Sequence, residues 1–153
     1  FTESVSSLAF DAAGTLYAGT GSSGSNPESL FTVDLASAAL TLVTPMGNGT
    51  DGDVVAYCPD DGLMYHLSGS GTQVFESIDL GTGAITAIGG SYSSYEVLSF
   101  SWDPAISAFQ VNFREGFAMT IDTAGTATDM GLWSDGGLTV DTGYDFRGQT
   151  VVQ

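Results

Sequence analysis

The chain has 153 residues, 42% of them apolar, enough to bury a core without disulfide or metal staples and too apolar to stay disordered. Eighteen Asp and Glu face only two strong cations, Arg114 and Arg147, and lysine is absent, for a formal net charge of −16. That balance excludes phosphate-backbone binding and docking to anionic membrane surfaces, which need Lys and Arg, and no apolar run approaches the roughly 20 residues of a membrane span.

The predicted elements are all strands, arranged as hairpins. The first is Ser6-Ser-Leu-Ala-Phe-Asp11, a turn at 12–14, and Thr15-Leu-Tyr-Ala18. Gly19–Gly24 reads as a hairpin loop. Leu30-Phe-Thr-Val-Asp34 then turns at 36–38 into Ala39–Val43. The pattern restarts with Asp53-Val-Val-Ala-Tyr57, a turn at 59–62 and Leu63-Met-Tyr-His66. Val74-Phe-Glu-Ser-Ile-Asp79 follows, with a turn at 81–83 into Ala84–Ile88. A third pass runs Val97–Trp102, a turn at 103–106 and Ser107–Val111, then Phe117–Asp122, a turn at 123–125 and Thr126–Met130. Gly143–Phe146 and Gln149–Val152 make a fourth, partial pass. Short runs of β-branched and aromatic residues bounded by Gly, Pro and Asp are strand–turn–strand signals, and no segment sustains the 3.6-residue period of a helix.

The anchors Asp34, Asp79 and Asp122 lie 45 and 43 residues apart, a period that signals propellers or stacked arrays. Two hairpins per unit give four antiparallel strands, the make-up of a propeller blade. The fold class is therefore all-β, a single domain with units 2–49, 50–94 and 95–137 and a half unit 138–153. Phe10, Leu16, Val33, Tyr57, Leu63, Ile78, Phe100, Phe109 and Ile121 are expected in the core between units. The pattern Leu-Ala-Phe-Asp-x-x-Gly-x-Leu-Tyr, followed by Leu-Phe-Thr-Val-Asp, resembles the repeats of secreted bacterial β-propellers of the YVTN and NHL-like superfamily. That resemblance implies a fold and no particular activity. About three and a half units fall short of a closed propeller, which needs at least four. The chain is then a segment of a longer protein, a subunit that shares blades, or an open array.

The recurring Asp34, Asp79 and Asp122 suit turn capping, since an Asp side chain accepts from backbone N–H groups two residues on; the other reading is a ring of carboxylates around a channel. Asp51 and Asp53, with Asp60 and Asp61, resemble fragments of calcium loops. They are candidate ligands for a surface Ca²⁺, against solvated turn carboxylates; no other cofactor is expected. His66, the only histidine, lacks zinc partners at recognisable spacing and is expected to be a satisfied strand residue. Cys58 is alone and reads as a small buried hydrophobe. Trp102, Trp133 and Phe113 read as core aromatics, while Tyr92 and Tyr95 in a Ser-rich connection are candidates for a carbohydrate platform. Asn48 opens the one N-glycosylation sequon, and the Ser-rich loops 22–25 and 91–94 offer O-linked sites.

With no catalytic motif, the chain is expected not to be an enzyme, a lactonase- or lyase-like propeller being the least favoured reading. A lysine-poor surface rich in Ser, Thr and Gly suits an extracellular or cell-surface protein. The leading expectation is a structural assembly subunit whose open β-edges pair with other copies, as oligomer or filament. Gln149, Thr150, Val151, Val152 and Gln153 form the candidate edge. The alternative is a propeller fragment that binds a carbohydrate or a partner protein.

Overall fold

The computed structural model describes residues 3–47, 53–68, 73–90, 92, 96–114 and 116–132. Among these, every regular element is a strand, grouped in three four-stranded antiparallel sheets that each follow chain order and do not close on themselves. Sheet 1 holds β1 (Glu3–Phe10), β2 (Leu16–Gly24), β3 (Ser29–Val33) and β4 (Leu40–Pro45). Sheet 2 holds β5 (Val54–Cys58), β6 (Leu63–Leu67), β7 (Val74–Ile78) and β8 (Ile85–Gly90). Sheet 3 holds β9 (Val97–Asp103), β10 (Ala108–Phe113), β11 (Phe117–Ile121) and β12 (Ala127–Leu132). This is an incomplete propeller. The predicted half unit 138–153 lies outside the described residues.

The turns fall where the sequence places them, and carboxylates fix them. In the second hairpin of each sheet, Asp34 Oδ1 accepts the N–H groups of Ala36 and Ser37. Asp79 Oδ1 accepts those of Gly81 and Thr82, and Asp122 Oδ1 those of Ala124 and Thr126. The side-chain and backbone hydrogen bonds of Ser37 hold Asp34 below the usual carboxylate range, and those of Thr82 do the same for Asp79. The three repeating aspartates are turn caps. One expected boundary moves: β2 continues through Gly24, because its far end pairs with the start of β1 across two register irregularities. Glu3 anchors that extension by accepting from the backbone N–H and side-chain amide of Asn26.

The sheets stack in chain order through their first strands, β1 lying against β5 and β5 against β9. Each sheet thus has a front, facing the sheet that follows it, and a back, facing the one before. The front of sheet 1 (Ala9, Tyr17, Leu30) packs on the back of sheet 2 (Val55, Tyr57, Met64, Ile78, Ile85). The front of sheet 2 (Ala56, Cys58, Tyr65, Leu67, Phe75) packs on the back of sheet 3 (Phe100, Trp102, Phe109, Val111, Ile121). Phe109 is the centre of this second layer, with ring centroids 4.6 Å from Phe100, 4.7 Å from Tyr65 and 4.9 Å from Trp102.

Strand register makes the repeat explicit. On each back, two rungs cross all four strands. In sheet 1 they are Phe10–Leu16–Val33–Leu40 and Leu8–Ala18–Phe31–Leu42. In sheet 2 they are Tyr57–Met64–Ile78–Ile85 and Val55–His66–Glu76–Ala87. In sheet 3 they are Trp102–Phe109–Ile121–Ala127 and Phe100–Val111–Met119–Asp129. Of the expected core, Ile78, Phe100, Phe109 and Ile121 are buried, and Leu16, Val33, Tyr57 and Leu63 are half-buried. Phe10 is a correction: it is 57% exposed. Its rung position matches Tyr57 and Trp102, but no described sheet precedes sheet 1 to cover it.

Candidate functional site

Two features depart from the simple repeat. The first is a buried charge cluster at the junction of sheets 1 and 2. On the second rung of sheet 2, where the other sheets carry Ala18–Phe31 and Val111–Met119, stand His66 and Glu76. His66 Nδ1 lies 2.9 Å from Glu76 Oε1 and Nε2 lies 2.9 Å from Asp53 Oδ1. The side chains of His66, Asp53 and Glu76 are 0%, 0% and 1% exposed. Burial pushes the imidazole pKa down, but the hydrogen bonds and charges of Asp53 and Glu76 outweigh it and leave the pKa raised. The structure thus favours an imidazolium donating from both nitrogens. From sheet 1, Glu28 faces the cluster; burial and then the charge of Asp53 raise its pKa, with His66 opposing. Ser6 of β1 donates to the Asp53 carbonyl, tying the cluster to sheet 1. Asp53 Oδ2 is buried without a hydrogen-bond partner.

Both ring nitrogens of His66 are engaged, so the cluster is a sealed salt link rather than a metal centre. Among the described residues no group of three or more His, Cys, Asp or Glu is placed to hold a metal ion. The four carboxylates considered for calcium are not brought together on described ground. Asp53 is inside and Asp60 is exposed. Asp61 Oδ1 caps the Leu63 N–H while Oδ2 accepts from the Tyr65 hydroxyl at 2.6 Å, and Asp51 lies outside the described residues. The Asp61–Tyr65 bond belongs to a latch that every first hairpin carries and that sequence reading missed. Asp11 Oδ2 faces the Tyr17 hydroxyl at 3.4 Å and Asp103 Oδ2 the Gln110 amide at 2.6 Å. Its signal was available: an Asp before or within each turn and a long polar-tipped side chain four to seven positions later.

Tyr92 is not an open platform for a sugar. Its ring meets Phe75 edge-on at 6.0 Å, and its buried hydroxyl sits close over Gly89 and Gly125. Trp102 and Phe113 belong to the core there. Cys58 is buried, and burial pushes its thiol up and away from reactivity. Tyr95, Trp133, Asn48 and the terminal run Gln149–Gln153 lie outside the described residues.

The second departure is the back of sheet 1. Its two rungs contain eight apolar side chains and no polar or charged one. Leu8, Phe10 and Leu42 are 58%, 57% and 47% exposed, while Ala18 and Phe31 on the same rungs are buried. The inner positions of the matching rungs of sheets 2 and 3 are covered by the preceding sheet, while their outer-strand residues Ala87, Ala127 and Asp129 are exposed. Large contiguous exposed apolar patches are a feature of interaction surfaces.

The arrangement of sheets is that of bacterial propeller-like proteins. The chain superposes on virginiamycin B lyase from Staphylococcus aureus with TM-score 0.62 at 10% identity, covering 84% of this chain and 41% of that one. It superposes on an auxiliary nutrient binding protein from Bacteroides ovatus with TM-score 0.57 at 14% identity, covering 81% and 30%. A putative 6-phosphogluconolactonase from Bacteroides fragilis matches with TM-score 0.55 at 16% identity, covering 80% and 36%. The chain therefore spans less than half the length of these proteins, and the likeness is one of fold, which hosts several activities and establishes none of them here. No family model and no curated protein matches the chain.

Proposed function

We propose that this chain is a structural, non-enzymatic propeller segment that assembles with other copies of itself at the cell surface or outside the cell. One observation carries the reading: the back of sheet 1 is apolar across both rungs, and its Leu8, Phe10 and Leu42 are exposed. Burial of apolar surface is the main drive to association, and a face built to the pattern of two internal interfaces is suited to a third. The lysine-free, acidic composition supports an extracellular setting. The lyase and lactonase activities of similar folds find no support in the described residues, because the one histidine is sealed between two carboxylates. The nutrient binding protein among the similar folds favours a second reading, binding of a carbohydrate or partner protein.

Multi-angle light scattering over a concentration series tests the proposal. The expected mass is at least twice the 15.7 kDa of the chain. Assembly is expected to strengthen with added salt, since subunits of net charge −16 repel each other until screened. A mass of one chain at every concentration and salt overturns the proposal, and would turn attention to the binding reading.

A further inference from the structure

The geometry points to a proton-controlled clasp: protonated His66 holds sheet 1 onto sheet 2, and loss of its proton frees sheet 1 while the junction of sheets 2 and 3 stays closed. The inference goes beyond the assembly reading above and does not depend on it. Among the described sheets, sheet 1 is docked through its front alone, onto the back of sheet 2. The rung Val55–His66–Glu76–Ala87 lies on that same back, so sheet 1 is the cover that keeps the charge cluster dry. In stacked repeats each unit is held by its nearest neighbours, and one interface holds sheet 1.

The hydrogen bonds set the switch. His66 Nδ1 lies 2.9 Å from Glu76 Oε1 and Nε2 lies 2.9 Å from Asp53 Oδ1. An imidazolium donates from both nitrogens, whereas neutral imidazole keeps a single N–H. Deprotonation therefore leaves one of the two carboxylates facing a lone pair. Asp53 has no reserve, since its Oδ2 is already buried without a partner. Glu28 brings a further carboxyl toward the cluster from the connection between β2 and β3. A buried carboxylate that loses its donor is costly, and it regains hydration only where its cover lifts. That cover is gripped beside the cluster. Ser6 of β1 donates to the Asp53 carbonyl, and Ser7 accepts the Val55 N–H. β1 thus holds the backbone on both sides of Val54, next to the aspartate that depends on the imidazole.

The other junction has a different chemistry. Its core is apolar and aromatic, and burial pushes the pKa values of its Cys58, Tyr65 and Tyr92 upward, so none of them gains charge near neutral pH. At His66 burial opposes the charge, yet the bonds and charges of Asp53 and Glu76 leave the docked pKa raised. The hold is therefore complete below the free imidazole value of about 6.5 and is lost as pH rises through the docked value. Glu28, raised by burial and then by Asp53, acts with the same sign from the carboxylate range upward.

Hydrogen exchange read by mass spectrometry tests the clasp, from about pH 6 to about pH 9 so as to start below the free imidazole value, with correction for the base-catalysed rise in intrinsic rate. Between about pH 6.5 and the docked pKa, opening of β1, β2 and β3 is expected to rise about tenfold per pH unit, the limit for one proton released. β10 and β11 are expected to keep their protection. His66 is the only histidine, so nitrogen NMR reads its ring directly, and both nitrogens are expected to be protonated at the acid end. Glu28→Gln is expected to keep the alkaline step and His66→Gln to abolish it; the wild-type series stands without either variant. A neutral imidazole at the acid end, no pH step in β1 to β3, or an equal step in β10 and β11 overturns the clasp.

Discussion

His66 offers the sharpest test of how the sheets are held together. In His66→Leu the two buried carboxylates of Asp53 and Glu76, each now without its imidazole at 2.9 Å, would remain sealed at the junction of sheets 1 and 2. Removing one partner from a buried ionic network leaves uncompensated charge and costs about 3–5 kcal/mol, a large share of the roughly 5–15 kcal/mol that holds a domain folded. The repeat itself supplies the control. Sheet 3 carries Val111 and Met119 at this rung, so the triple variant Asp53→Asn, His66→Val, Glu76→Met replaces two members of the cluster with what its sister sheet already tolerates and removes the charge of the third. Exchanging a complete buried ion pair for packed apolar groups is often neutral or stabilising, and the triple variant should recover most of the loss.

The same cluster predicts a pH dependence. The folded-state pKa of His66 is raised above its ordinary value. Its contribution is therefore fully present below the unfolded imidazole pKa of about 6.5 and is lost as pH rises through the folded value. Glu28 acts with the same sign, but from the carboxylate range upward, since its folded pKa is also raised; the two windows are separable. Urea unfolding of the wild type and the triple variant across neutral and alkaline pH is the assay. Wild-type stability should fall on the alkaline side relative to the triple variant. A His66→Leu cost below about 1 kcal/mol, well under that expected of a broken buried network, or parallel pH profiles for the two proteins, would refute the reasoning.

Two further substitutions test the packing and the turns by chemical denaturation. Phe109→Ala, which empties the centre of the junction between sheets 2 and 3, should cost about 3–5 kcal/mol, whereas Phe10→Ala, measured at concentrations where the chain is monomeric, should stay within about 1 kcal/mol of wild type because large losses come from buried sites. Ala38 has φ of 58° where the matching turn of sheet 2 has Gly83 at 71°; Ala38→Gly should therefore stabilise by roughly 1 kcal/mol, the order of the left-handed strain relieved.

The architecture was legible because it rests on signals that repeat. Each Asp ahead of a small turn, and each alternating run of β-branched and aromatic residues, occurs three times, so one ambiguous copy is corrected by the other two. Phe10 shows where this reasoning overreaches. Its local sequence is equivalent to that of Tyr57 and Trp102, and local sequence sets which face a side chain takes. Whether that face is covered depends on a neighbouring sheet, and the exposure of Phe10 follows from its place at the head of the stack. Tyr92 departs in the opposite sense: a Ser-rich setting suggested exposure, yet its ring meets Phe75.

Departures from the repeat are where function and specialisation concentrate, and they were the least legible part. His66 and Glu76 sit ten residues apart on neighbouring strands, and Asp53 thirteen residues before His66. No linear spacing announces that the three converge. They become visible only when the rungs of the sheets are aligned and one of three is found to carry charge where the others carry Ala18–Phe31 and Val111–Met119. The same alignment exposes the front of sheet 3, polar where the fronts of sheets 1 and 2 present Tyr17 with Leu30 and Tyr65 with Phe75. Sheet 1 keeps an apolar back and sheet 3 presents a polar front, so the stack has two unlike ends.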